Sequence, residues 1–123
     1  MDNTRRKNLR GLPQRLKAIV DRIAKAEFEE MGPTPIITGA PPGITTPDSD
    51  YLAFWRIEGA IEFNTLGGRE WFLQASDEQL EQIVRHELLH GLLWQRGEPN
   101  GDTDLPFIIE CAKRNILVNE SSI

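Results

Sequence analysis

Asp77-Glu78-Gln79-Leu80-Glu81-Gln82-Ile83-Val84-Arg85-His86-Glu87-Leu88-Leu89-His90-Gly91-Leu92-Leu93-Trp94 is the stretch from which the rest of the chain is read. Asp77 suits an N-cap, and Glu78 and Glu81 place negative charge near the helix start, where the dipole favours it. Glu78, Glu81, Gln82 and Arg85 form one polar stripe. Beyond Glu87 the helix is apolar all round through Leu88, Leu89, Leu92, Leu93 and Trp94, the pattern of a central helix. Histidines four apart share a helix face, so the imidazoles of His86 and His90 can point at one metal ion. Glu87 is rotated about 100° from His86, which suits it to a water beside that ion better than to a bond with it. Metal, water and base together make a hydrolytic unit. The pattern uses both histidines of the chain. Imidazoles held among hydrophobes are costly unless something binds them.

Outward from this stretch, the 123 residues imply one domain with its own core. Apolar residues at 39% and charged residues at 27% fit an ordinary soluble globule. A single cysteine excludes an internal disulfide and points to a reducing compartment. No apolar run reaches membrane length and no secretory signal is visible at the start, so a cytoplasmic location without membrane contact is expected.

The net charge of −5 is unevenly spread, with eight Lys/Arg against five Asp/Glu in residues 1–30 and six against fourteen in the rest. The basic head comprises Arg5, Arg6, Lys7, Arg10, Arg15 and Lys17. It reads as the solvated start of a surface helix. No stacking aromatics are interleaved with it, so nucleic acid is not an expected partner.

Pro13 suits a first helical turn, and Leu16, Ile19, Val20 and Ile23 recur at helical spacing up to about Met31-Gly32. Pro35–Thr38 reads as a short buried strand, and Gly39–Asp50, rich in turn formers, as a loop. Its plain role is a connector; its sharper one is a flap or an arm that grips a partner. Tyr51–Ile57 and Ala60–Asn64 are β-prone runs joined by Glu58-Gly59, a hairpin. Ile61 and Phe63 alternate with Glu62 and Asn64, so one face is expected to be wet. An antiparallel edge strand beside a metal helix suits the backbone pairing of an extended peptide. Trp71-Phe72-Leu73 leads into the central helix, and Asp104 is the expected N-cap of a last helix from Leu105 to about Ile116.

A hydrolytic zinc site needs a third protein ligand and an open position. With no histidine left, Asp102, Asp104 and Glu110 are the acids in range. Glu110 lies twenty residues past His90, a spacing that resembles the gluzincin peptidases, whose third ligand is a glutamate on a following helix. Periodicity puts Phe107, Ile108, Cys111, Ala112 and Ile116 on the core face of the last helix and Glu110 opposite, in a surface pair with Arg114. Cys111 reads as a small buried hydrophobe. The order of expectation is Asp104, then Glu110, then Asp102.

From Ala60 to Asn115 the order of elements resembles the SprT-like (Spartan-type) zinc metallopeptidases of the HExxH zincin superfamily. Ile61-Glu62-Phe63-Asn64 precedes the His86–His90 helix; a Gly/Asp-rich loop and a helix opened by Pro106-Phe107 and closing at Lys113-Arg114-Asn115 follow. The resemblance implies a small α+β zincin-like fold, and the chain reads as a single such domain at 13–118, between a basic segment at 1–12 and a tail at 119–123. An N-terminal helix, a short, mostly antiparallel sheet with a hairpin, the central HExxH helix and a C-terminal helix would compose it. The resemblance also implies one Zn²⁺ and hydrolysis of a peptide or protein substrate with Glu87 as general base; His86, His90 and, by the order of expectation above, Asp104 are the expected ligands. The family's third ligand is a histidine just before the last helix, where this chain reads Asp102-Thr103-Asp104. The rival expectation is a zincin-fold structural or binding component of a larger assembly, contacting partners through the N-terminal segment and the 39–50 loop.

Overall fold

The computed structural model of the chain describes residues 11–38 and 51–123. Residues 1–10, with most of the basic head, and the 39–50 loop lie outside the described residues, as do the partner contacts expected of them. In chain order the elements are helix α1 (Leu12–Glu27), a 3-10 turn (Glu29–Met31), strands β1 (Ile36–Ile37), β2 (Ala53–Arg56) and β3 (Ala60–Phe63), helices α2 (Arg69–Gln74), α3 (Asp77–Gln95) and α4 (Leu105–Arg114), and a 3-10 turn (Glu120–Ser122). The architecture is α+β.

Helix α3 is central, packing against α1, β2 and α4. Its buried positions run from Leu80, Ile83 and Val84 through His86, Glu87, Leu88 and Leu89 to Leu92 and Leu93, nearly encircling the second half of the helix. Trp94, expected inside with them, is 44% exposed. The N-cap is Ser76 rather than Asp77: Gln79 N–H donates to Ser76 Oγ (3.2 Å) and Ser76 N–H to Gln79 Oε1 (2.9 Å), a reciprocal capping box. Asp77 is thereby free to pair with Arg15 of α1. Another basic residue of the head, Lys17, pairs with Asp21 (2.6 Å), so both are engaged within the chain.

Helix α1 buries Leu12, Leu16, Ile19, Val20, Ile23 and Ala24, one stripe at helical spacing. The polar stripe of α3 borders it: Arg22 pairs with Glu81 (3.1 Å), and Arg85 donates to both carboxylate oxygens of Glu27 (2.9 Å each).

The three-stranded sheet has the order β1-β3-β2. Strand β3 pairs parallel with β1 and antiparallel with β2, so the sheet is mixed, not mostly antiparallel. The hairpin is present, but its loop has three residues, 57–59. Gly59 N–H bonds Arg56 O (2.9 Å), and Gly59 takes φ 92, the left-handed position that three-residue loops require. The expected wet face of β3 is absent. As the middle strand it is buried on both faces, and Glu62 and Asn64 are fully buried. Glu62 is compensated by Arg56 on the neighbouring strand (2.6 Å), and the Asn64 amide donates to Tyr51 O (3.1 Å). The edges, among the described residues, are β1 and β2.

Helix α4 meets α3 along a narrow stripe of Phe107 and Cys111. Ile108 and Ala112, expected on that face, are exposed because only a slim contact is made. Asn115, at φ 56, ends the helix in the left-handed conformation that asparagine tolerates. Gln82 of α3 then clamps the departing chain, donating to Asn115 O (3.1 Å) and accepting from Leu117 N–H (3.1 Å). Among the described residues no helix is long and apolar enough to cross a membrane.

Candidate metal centre

The central helix brings His86 and His90 together: their Nε2 atoms are 3.2 Å apart. His86 is 1% exposed. Phe107 forms the wall behind them, stacked on the His90 ring (centroids 4.1 Å, planes 11° apart) and edge-on to His86 (5.2 Å, 78°). A buried residue of α4 thus fixes the orientation of both rings.

Their protonation follows from the partners of Nδ1. His86 Nδ1 lies 3.0 Å from Leu117 O, and His90 Nδ1 bonds Asn100 O. A carbonyl oxygen only accepts, so each Nδ1 carries its proton and donates. In neutral rings both Nε2 atoms then present bare lone pairs to the same point, as outer-shell carbonyls arrange in metal-binding histidines. The clamp of Gln82 on residues 115–117 is what delivers Leu117 O to His86.

Asp102 supplies the third atom. Its Oδ1 lies 2.9 Å from His90 Nε2 and 3.3 Å from His86 Nε2. Asp104, ranked first from the sequence, is directed elsewhere. It occupies the N-cap position of α4, and its Oδ2 accepts Gly101 N–H (2.8 Å), closing the 101–104 turn. Glu110 is held by Arg114 (3.1 Å) and Lys113 (3.6 Å), the expected surface pair. Cys111 is buried against α3, which pushes its thiol pKa up to about 11 and keeps it protonated.

The three acceptors therefore make a triangle with edges of 3.2, 3.3 and 2.9 Å. Ligands about 2.05 Å from a tetrahedral zinc stand about 3.3 Å apart, and a point about 1 Å off the plane of this triangle lies about 2.05 Å from all three atoms. The residues present fit the ion in donor type and in spacing. Without a metal, the electrostatics call for another cation. Burial opposes charging His86, but the hydrogen bond to Asp102 and the Glu87 carboxylate outweigh it and raise its pKa to about 9. Hydrogen bonds to the same two imidazoles hold the Asp102 carboxyl far below the usual carboxylate range.

Glu87 stands beside the triangle rather than in it, with Oε2 4.0 Å from His86 Nε2. It is 3% exposed. Burial raises its pKa well above the ordinary value against the pull of His86, and a second carboxyl, Glu120 from the C-terminal turn, adds to the rise through charge and a shared hydrogen bond. Nothing in the sequence pattern distinguishes Glu120; only the fold of the tail brings it here.

The group opens into a cleft of about 280 Å³, walled by β2 and α3 and rimmed by the exposed Tyr51, Ile57 and Trp94. Among the described residues no lysine or arginine lines it. Asn64 N–H donates to Leu52 O (2.8 Å), which fixes the phase of the β2–β3 ladder: Leu52 O and the backbone groups of Phe54 and Arg56 face β3, and Ala53 and Trp55 direct theirs outward. Among the described residues no strand occupies that outer edge. The Trp55 indole lies on Gly91, where a Cβ would come within 2.7 Å of the ring, so the glycine allows strand and helix to close on each other. Trp55 Nε1 is buried without a hydrogen-bond partner among the described residues. A larger hollow of about 440 Å³, lined by Lys17, Asp21 and Glu29 among others, brings no histidine and no convergent set of acceptors.

No family model, curated protein or solved structure matches the chain.

Proposed function

We propose that the chain is a zinc-dependent metallopeptidase in which His86, His90 and Asp102 hold the ion and Glu87 is the general base. The observation that carries this reading is the triangle of His86 Nε2, His90 Nε2 and Asp102 Oδ1, closed to zinc-ligand spacing, with a buried carboxylate 4.0 Å from one corner. Zinc bound there supplies a Lewis acid that polarises a carbonyl and acidifies water.

The residues of the chain do the rest. Leu117 O and Asn100 O keep the imidazoles in one tautomer, and Phe107 keeps their planes fixed. An extended peptide fits along β2 at Trp55, the half-buried residue whose backbone N–H and C=O point away from β3. Tyr51, Ile57 and Trp94 at the rim favour apolar side chains. Glu87 takes a proton from the water whose oxygen attacks the scissile carbonyl carbon. As the C–N bond breaks, it passes that proton to the leaving nitrogen. The HExxH spacing and the resemblance to SprT-like peptidases support the same reading, with aspartate in place of the family's third histidine.

The test combines zinc stoichiometry of freshly purified protein with cleavage of an unstructured protein substrate. One zinc per chain is expected, with cleavage that Glu87→Gln lowers about 10²- to 10⁴-fold while zinc stays bound. Protein that takes up no zinc, or a Glu87→Gln variant that cleaves as well as wild type, sinks the reading.

A further inference from the structure

The C-terminal turn does more than finish the chain. Asn119 opens it, its side-chain oxygen accepting from Ser121 N–H (3.1 Å) and Ser121 Oγ (2.8 Å). The far end is tied to the start of α3, where Gln79 Nε2 donates to Ile123 O (2.9 Å). Between these anchors Glu120 turns inward and lines the cleft with His86, Glu87 and Asp102. Its Oε1 accepts the backbone N–H of Leu52, the residue before β2, at 2.6 Å. Its carboxyl also meets that of Glu87 in the shared cleft, near enough to act on it by charge and hydrogen bonding. One side chain therefore touches both the residue assigned as base and the start of the strand assigned to hold substrate.

We propose that Glu120 is a positioning residue of this site, a bridge that fixes the Glu87 carboxyl relative to edge strand β2. The inference rests on the peptidase reading above and extends it to a residue that lies far from the histidine motif in sequence. The physical reason is orientation. Glu87 reaches the cleft through rotatable bonds, and a proton acceptor displaced by about 1 Å can lose about 10²-fold in rate. A partner tied to the backbone of the substrate-binding strand removes that freedom. It also aligns base and substrate from the same anchor.

Glu120→Ala and Glu120→Gln, each in the full chain, test the bridge. Glu120→Ala is expected to lower kcat about 10- to 100-fold, the usual effect of removing an outer partner, with KM and the zinc dissociation constant within about threefold of wild type. Glu120→Gln should recover most of that loss, since its amide oxygen accepts the Leu52 N–H and its amide nitrogen donates to Glu87. Independently of activity and metal, hydrogen exchange of the Leu52 amide should quicken about tenfold in Glu120→Ala, by removal of its one bond, and little in Glu120→Gln. Unchanged kcat in zinc-loaded Glu120→Ala, or Leu52 exchange indifferent to that substitution, overturns the proposal. A wild-type chain without zinc or cleavage overturns the peptidase reading instead; the exchange measurement then decides alone whether the bridge exists.

Discussion

Helix α3 and the loop that follows it each contribute to the same triangle, by opposite means. On α3, His86 and His90 are fixed by helix periodicity, by burial, by Phe107 at their rings and by a carbonyl at each Nδ1. On the loop, Asp102 is brought in by the turn that contains it and, among the described residues, meets only the two imidazoles, with a side chain 56% exposed. The helix presents its two imidazoles side by side through its own periodicity and packing. The loop completes the set through a turn whose closure is the task of Asp104. The difference teaches that two aspartates one residue apart from being neighbours have divided the work: Asp102 faces the imidazoles and Asp104 folds the segment that aims it.

Separating those two roles gives the largest effect. Asp102→Ala should weaken zinc binding by more than the roughly 10- to 100-fold that loss of an outer partner costs, because a direct ligand is removed. Asp104→Ala should leave the ion bound, with affinity reduced by about tenfold at most, and lower stability by about 1 kcal/mol through the lost Gly101 hydrogen bond. Zinc titration of both variants against a competing chelator, with urea unfolding alongside, checks the division. Equal zinc affinity in the two variants breaks the comparison, and loss of zinc in Asp104→Ala alone reverses it.

The same contrast explains what was legible in the sequence. His86, Glu87 and His90 were readable because helix geometry converts a spacing of four into a shared face without reference to the rest of the fold. The existence of α1, α3, α4 and the β2–β3 hairpin was readable for the same reason, being local periodicity and turn chemistry. The third acid depends on where a polar loop turns, and periodicity carries no information there. One signal was available: an aspartate placed to cap a helix is committed to that turn, which argues for its neighbour as the acid that faces the imidazoles. Glu62 shows a different limit. Its alternation with Ile61 and Phe63 is the mark of a half-wet strand, but β1 and β2 enclose it and Arg56 neutralises it, a long-range arrangement that two-residue alternation cannot express. Glu120 lay furthest from view, since the tail Asn119–Ile123 has neither periodicity nor motif.

The wall between helix and edge strand offers a sharper probe. Gly91→Ala places a Cβ within 2.7 Å of the Trp55 ring, so the indole and β2 must move. Alanine favours the helix by up to about 1 kcal/mol, and overpacking costs about 1 to 3 kcal/mol, so a net loss of about 1 kcal/mol is expected. The imidazoles are held by Phe107, Leu117 O and Asn100 O rather than by Trp55, so the triangle should bind zinc as before, while KM for an extended substrate rises. Urea unfolding and steady-state kinetics read the two consequences separately. A variant with lowered zinc affinity and unchanged KM shows that helix and strand are not the independent walls described here.

The smallest effect is expected where α3 meets α1. Arg85 immediately precedes His86 in sequence, yet it donates in a fork to Glu27, away from the metal-binding face. The hydrogen bond from Arg85, followed by its charge and those of Arg114 and Arg22, holds the Glu27 carboxyl below its usual pKa against the opposing effect of burial. A carboxyl depressed by folding contributes stability above its unfolded pKa and loses that contribution as pH falls through its folded pKa. Glu27→Gln should therefore be less stable than wild type by at most about 1 kcal/mol near neutral pH, the range of surface pairs. The difference should shrink as acid protonates Glu27, passing first through the ordinary carboxylate range and then below it. Zinc affinity should be unaltered throughout. Paired urea titrations at neutral and acidic pH check this, and a gap between the variants that widens in acid contradicts the assigned sign. Changed zinc affinity in Glu27→Gln would show that the ligand face of α3 is held partly from its back, so that its apparent rigidity belongs to the α1 contact as much as to the helix.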